Sequence, residues 1–244
     1  ISNDEVKLTS YQLIPVNLTR KQTIANGEIT RSFIGEEIEK SPEIYEFLLP
    51  YQQKGEAKIL VPFATVKGVL NGDRAQVRNR QTNLGNLIAT AQKKAVNADF
   101  GIISSGGIRG SIESGEVNYK QILSIHPFKN RITYVDMTGS EVEAYLKIVA
   151  AFPPDSGAYA QFSGVSFQVI NGAVTNILIQ EKPIEKNRTY RFSLNSYNAA
   201  GGDGYPKLLK HKGYVATSLI DAEILRTFLS KNSPVDASNY KPVD

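Results

Sequence analysis

Three loop-like stretches and one aromatic turn hold the side chains best suited to chemistry. Gly72-Asp73-Arg74-Ala75-Gln76-Val77-Arg78-Asn79-Arg80 sets three arginines just ahead of a helix start. Guanidinium groups grip phosphate or carboxylate through paired hydrogen bonds, and a helix N-terminus adds free N–H groups. The same spacing also describes a solvated basic turn. Ser104-Ser105-Gly106-Gly107-Ile108-Arg109-Gly110 follows a short apolar run. Adjacent glycines let backbone N–H groups approach a ligand. The spacing fits neither the dinucleotide fingerprint nor the P-loop, and a plain strand-to-helix turn accounts for it equally well. Between Tyr197 and Tyr205, Asp203 stands between Gly202 and Gly204. Its carboxylate can accept from vicinal hydroxyls, as acids do for ribose; an ordinary Asp-Gly turn is the alternative. Tyr197, and Phe128 in His126-Pro127-Phe128-Lys129-Asn130, can each offer a ring face to a base, worth roughly 1–3 kcal/mol per base. Aromatic rings serve core packing more often.

Composition removes other chemistries. The 244 residues include no cysteine, which excludes disulfides, Cys-ligated zinc, Fe–S clusters and thiol nucleophiles. His126 and His211 are the two histidines, and their separation excludes a His-x-x-x-His zinc helix. Neither has a Ser or Cys nucleophile motif around it, so both read as structural or surface residues. The +4 charge suits an anion-binding protein and many others alike. No apolar run approaches the roughly 18 residues of a membrane span, and no secretory leader opens the chain.

The elements that must position these loops follow from periodicity and caps. Residues 1–33 read as strands, with Val6, Leu8, Leu13, Val16 and Leu18 in extended runs and Asn26-Gly27 as a hairpin turn. Such strands make no stable domain alone, so they read as the end of a sheet whose remainder is absent. Together with the non-Met start, this predicts an excised part of a longer protein. Ser41-Pro42-Glu43 starts a helix that Pro50 ends or kinks. It reads as a linker or hinge over 34–54, with a boundary near 53. Ala57–Val61 reads as a strand. Thr82 or Asn83 caps a helix carrying Leu84, Leu87, Ile88 and Ala91. Phe100–Ile103 is a buried-type strand, Tyr119–Ile125 a helix and Arg131–Met137 a strand. Thr138-x-x-Glu141 and Ser140-x-x-Glu143 both have capping-box form ahead of a helix with Val142, Tyr145 and Val149 inward. Val165–Val169 and Thr175–Ile179 pair through Asn171-Gly172, and Thr189–Leu194 leads into the Asp203 loop. Ser218 and Asp221 start a last helix, and the tail after Pro234 reads as peripheral.

Four motifs occur in one order: Gln81-Thr82-Asn83-Leu84-Gly85-Asn86-Leu87-Ile88, Ser104-Ser105-Gly106-Gly107-Ile108-Arg109, His126-Pro127-Phe128-Lys129-Asn130, and Asn195 through Pro206. With Asp155-Ser156-Gly157-Ala158-Tyr159, they make nearly the whole chain resemble the C-terminal domain of the 5′-nucleotidases, closest to the bacterial periplasmic UDP-sugar hydrolase/5′-nucleotidase branch. The resemblance implies an α/β fold of α+β type, with mixed sheets and flanking helices. It implies a nucleotide- or nucleotide-sugar-binding domain over 55–244, which swings its substrate by a hinge rotation to an N-terminal metallophosphatase domain. That absent domain would hold two divalent metal ions and the catalytic residues. Phe128 and Tyr197 would sandwich the base, Asn130 would read its edge, and Asp203 would hold the ribose hydroxyls. Arg74, Arg78 and Arg109 would contact the phosphates or the substrate's other polar parts, with Ser104, Gly107 and Gly157 completing the set. Ser105 stands where the family usually has glycine, and Tyr197 where phenylalanine is common. Arg80 has no firm counterpart. The chain itself is expected to hold no catalytic residue, metal or cofactor, to meet no nucleic acid and span no membrane, and to come from a periplasmic enzyme whose leader is absent. A stand-alone nucleotide-binding module is the alternative. A purely structural domain leaves unexplained why aromatics, arginines and an acid share glycine-rich loops at strand ends.

Overall fold

The computed structural model describes residues 8–23 and 29–242. Two compact units part between Gly55 and Glu56. In the first, β1 (Thr19–Thr23) and β2 (Ile29–Phe33) pair antiparallel, with Thr19 opposite Phe33. Val6 and the Asn26-Gly27 turn lie outside the described residues. Asn17 ties this segment down by accepting from the Ile38 N–H at 2.8 Å and donating to its carbonyl at 2.9 Å. Leu13, Ile14 and Leu18 stay exposed. Helix α1 (Pro42–Ile59) buries no side chain.

This helix narrows one expectation and corrects another. It runs through Pro50, so of the two readings, ending or kinking, it does not end there, and residues 57–59 are its last turn, not a strand. Proline removes one donor from the helical ladder, and the turns on either side keep theirs. A short apolar run such as Ile59-Leu60-Val61 fits a helix end as readily as a strand.

In the second unit the fold is α/β, with mixed sheets and flanking helices. Its first half holds β3 (Pro62–Lys67), α2 (Arg74–Val77), α3 (Asn83–Ala95), β4 (Phe100–Ser104), β5 (Gly115–Asn118), α4 (Tyr119–Ile125), β6 (Arg131–Thr138) and α5 (Gly139–Val149). Then come β7 (Ala160–Ser163), β8 (Val165–Ile170), β9 (Ala173–Ile179), β10 (Lys182–Pro183), β11 (Thr189–Asn195), α6 (Ser196–Ala199), β12 (Tyr214–Ile220), α7 (Asp221–Lys231) and β13 (Val235–Asp236). A five-stranded sheet runs β12-β6-β11-β4-β7, accompanied by three-stranded sheets β13-β3-β5 and β10-β9-β8.

Side-chain alternation splits the core in two. Ile103 joins Leu84, Leu87 and Ile88 of α3 and Leu225 and Leu229 of α7. Its neighbours Phe100 and Ile102 join Val142, Tyr145 and Leu146 of α5 on the other side. That is the two-residue period of a strand covered on both faces. Phe100 stacks on Phe192 with centroids 5.1 Å apart, and Tyr145 tilts against Phe192 at 4.9 Å.

Caps set the helix starts. Thr82, not Asn83, caps α3, its hydroxyl accepting from the Gly85 N–H at 3.1 Å. Thr138 and Glu141 form the capping box of α5, which leaves Ser140 inside the helix. Ser218 lies in β12, so α7 starts at Asp221. The tail is not peripheral: β13 pairs parallel with β3, and Val235 and Ala237 are buried. A two-residue strand carries too little periodicity to be read from sequence.

Candidate functional site

Sheet register gathers the loops at one edge. Strands β4 and β11 are parallel, so their C-terminal ends, at Ser104 and Asn195, point the same way. Strand β6 runs antiparallel to β11 with Ile132 opposite Asn195, which brings the turn 126–130 to that end. Strand β7 runs antiparallel to β4 with Ala160 opposite Ser104, which brings Gly157 there too. Open mixed sheets bind ligands at this kind of edge. A cavity of about 630 Å³ opens at it.

Arg78 arrives by a different route. The turn between α2 and α3 hangs on β7 through two amides. Gln161 Nε2 donates to the carbonyls of Val77 and Arg80, both at 2.7 Å, and its Oε1 accepts from the Thr82 N–H at 2.8 Å. Gln81 Nε2 donates to the Ala160 carbonyl at 2.8 Å while its Oε1 accepts from the Phe162 N–H at 3.0 Å. Asp73 caps α2, and Arg78 is its C-terminal cap.

The glycine loops are locked to each other. Gly106 N–H donates to the Gly157 carbonyl at 2.8 Å, and the Ser105 hydroxyl donates to Ser156 O at 3.0 Å. A Cβ on Gly106 would stand 3.1 Å from Gly157 O and 3.5 Å from Asp203 Oδ2, so glycine permits the close approach. Ser105, where the resemblance predicts glycine, therefore adds a link between the two loops. On the far side, Asp203 takes a left-handed conformation (φ 56°), and the buried Tyr205 hydroxyl anchors the loop to Ala158 O at 2.9 Å.

Nine of the ten expected site residues line this cavity: Arg78, Ser104, Gly107, Arg109, Phe128, Asn130, Gly157, Tyr197 and Asp203. Arg74 does not. Gly106 and Asn195 also line it, beyond the expected set. The signal for Gly106 was its place in the double glycine. Asn195 caps α6, accepting from the Asn198 N–H at 2.8 Å, a role that its place at a strand end only hints at. Another opening of about 590 Å³, beside Arg80 and Lys241, has no acid in its lining.

Exposure and charge distinguish the first cavity. Phe128 is 54% exposed and Tyr197 49%, so neither ring is spent on the core. Arg109 lies over the Phe128 ring, 5.7 Å from its centroid. Partial burial, then Arg74 and Arg109, hold the Arg78 guanidinium below its usual range, while Asp155 and Asp203 oppose them. Arg78 thus feels the charge of two other arginines, and an anion bound beside it would offset their repulsion.

Both histidines have structural partners. His126 is buried, with Nδ1 2.9 Å from the Gly107 carbonyl. Burial pushes its pKa down against the pull of Asp221, and burial pushes Asp221 up. The Asp221 N–H donates to the Asn130 carbonyl at 2.9 Å, so this pair lies behind two lining residues. His211 Nδ1 accepts from the Gly213 N–H at 3.0 Å. Among the described residues no group of three or more His, Cys, Asp or Glu side chains could hold a metal ion.

The family model described as 5′-nucleotidase, C-terminal domain, matches residues 61–211. The chain belongs to that family. It is 52% identical over 240 residues to a protein named 5′-nucleotidase from Vibrio vulnificus (strain CMCP6), covering 98% of this chain and 43% of that protein. It is 46% identical over 240 residues to Protein UshA of Escherichia coli (strain K12), with 98% and 44% covered. The chain therefore spans less than half the length of these relatives. The crystal structure of a 5′-nucleotidase precursor from Thermus thermophilus superposes with a TM-score of 0.68 at 29% identity, covering 86% of this chain and 46% of that one. As a 5′-nucleotidase C-terminal domain, the chain has the fold expected of it. Among its described residues no helix is long and apolar enough to cross a membrane.

Proposed function

We propose that residues 56–244 bind the nucleotide part of a 5′-nucleotidase or UDP-sugar hydrolase substrate. The observation that carries this reading is the meeting of two half-exposed aromatic rings, one acid and two arginines around one cavity. Each has a part in it. The base stacks between Phe128 and Tyr197, and the Asn130 amide reads its edge. Asp203 accepts from the ribose hydroxyls. Arg78 and Arg109 pair with the phosphates, Arg74 adds to their field, and the Gly106–Gly107 loop lets the ligand come close.

Hydrolysis belongs, in this reading, to an N-terminal metallophosphatase domain outside the chain, where two divalent ions would activate water and polarise the phosphoryl group. The donor set here does not fit such a centre: the described residues hold no group of three or more metal-ligating side chains. The domain's own share of catalysis is to hold base, ribose and phosphate in one orientation. The exposed apolar residues of the first unit support its being part of a larger structure. The periplasmic location implied by the resemblance goes with this reading.

Isothermal calorimetry of the chain with adenosine, AMP and UDP-glucose tests it. Phe128→Ala is expected to weaken binding by roughly 1–3 kcal/mol, the worth of one stacked base. Failure of all three ligands to bind at millimolar levels, or an unchanged affinity in Phe128→Ala, overturns the site assignment.

A further inference from the structure

Tyr197 does more in this structure than present a ring. Its hydroxyl donates to Asp203 Oδ1 at 3.1 Å, so the ring assigned to the base and the acid assigned to the sugar are joined directly. The join is built into the loop. The ring lies so close over Gly202 that a Cβ there would stand 2.5 Å from its Cε1 and Cζ. Gly201 (φ 98°) and Gly204 (φ 84°) flank the turn at positive φ, and Asp203 between them is itself left-handed, a conformation that aspartate tolerates. The Asp203 carboxylate is thereby aimed from two sides: by the backbone turn beneath it and by the phenol beside it.

Acceptor arithmetic gives the consequence. An ionised carboxylate has about four acceptor positions on its two oxygens. The phenol occupies one on Oδ1, which leaves enough for two hydroxyl donors. Without the phenol, rotation of the carboxylate about its last torsion is broad, and part of the binding energy goes into orienting it. Phenylalanine offers the same stacking face and no donor. The charge of Asp203, followed by burial and the hydrogen bond, pushes the Tyr197 phenol above its ordinary value. The donor therefore stays protonated at and above neutral pH.

We infer that the Tyr197 hydroxyl is a specificity-determining positioning group, which sets the Asp203 carboxylate to select a sugar with a vicinal diol over a deoxy sugar. The inference rests on the nucleotide-binding reading of the cavity. Beyond that reading, it names the ligand class that the site prefers, ribonucleosides over 2′-deoxyribonucleosides, and the atom responsible.

The test is calorimetry of the whole chain with adenosine and 2′-deoxyadenosine, comparing the unsubstituted protein, Tyr197→Phe and Asp203→Asn. The readout is the ratio of the two dissociation constants, which a general loss of structure or stacking does not move. Tyr197→Phe is expected to lower the preference for adenosine roughly three- to tenfold, the range of one hydrogen bond, and Asp203→Asn to abolish it. If Tyr197→Phe weakens both ligands equally, or neither, while Asp203→Asn still removes the preference, the hydroxyl has no selective role and this inference alone falls. If Asp203→Asn leaves the preference intact, or the unsubstituted chain binds neither ligand, the nucleotide reading falls and this inference with it.

Discussion

Replacing Gln161 by leucine should loosen both the fold and the site. The side chain is completely buried on β7, and it satisfies three backbone groups of the α2–α3 turn: the carbonyls of Val77 and Arg80 and the N–H of Thr82. Leucine nearly matches its volume and can make none of these bonds. Each backbone group left buried without a partner costs about 1–3 kcal/mol. Two of the three bonds are fully buried, and that to Arg80 is partly buried, where water can replace it. The expected loss is therefore about 3–5 kcal/mol, with the apolar gain of leucine offsetting a little. Little space exists for a compensating shift, since even a methyl on Gly85 would collide with Gln161 Oε1. The chain has no tryptophan, so urea unfolding followed by far-UV circular dichroism is the suitable assay. A loss below about 1.5 kcal/mol would refute the reasoning, because the three groups would then have found other partners. Because Arg78 rides on this turn, the variant should also weaken AMP more than adenosine. Equal weakening would mean that Arg78 does not contact the phosphate.

Two further outcomes are expected. Gly202→Ala drives a methyl into the Tyr197 ring and should cost roughly tenfold or more in adenosine affinity, in line with the loss of a stacking face; calorimetry with unchanged circular dichroism would locate the effect at the ring. The buried His126 should make stability depend on pH. Burial lowers its folded pKa, so below the unfolded value of about 6.5 the unfolded chain takes up the proton first and stability falls with pH. Asp221, raised by burial, has the opposite sign at lower pH: there the folded chain binds the proton first and stability is regained. Urea midpoints should therefore fall from pH 7 toward pH 5.5, and His126→Gln should flatten that slope. An unflattened slope would assign it to another group.

Much of the local structure was open to reading because its causes are local. The caps at Thr82 and Thr138 act within three residues of themselves, and the apolar face of α3 repeats along one helix. The glycines and arginines of the site were visible as unusual types in unusual runs. What escaped was set by distant partners. The strands β5, β7, β12 and β13 lack a clear alternation of their own and exist because a neighbour supplies the ladder. Helix α1 continues past Pro50 because one missing donor does not outweigh the turns around it. Gln161 carries no motif, and its three partners lie about 80 residues earlier in the chain.

The sequence by itself determined the inventory of this protein: which residues could stack, accept, or pair with an anion, which turns could be tight, and that cysteine chemistry was excluded. Only the tertiary structure decided that Arg78 and Asp203, 125 positions apart in number, open on one cavity while Arg74 does not. It also decided that His126 is buried behind that cavity and that the Tyr197 hydroxyl meets Asp203. The physical reason is register. Side-chain type and turn preference are properties of a few consecutive residues. The meeting of strand ends at one edge depends on how β4, β6, β7 and β11 pair over long separations, and that pairing is settled by the core on both faces of the sheet.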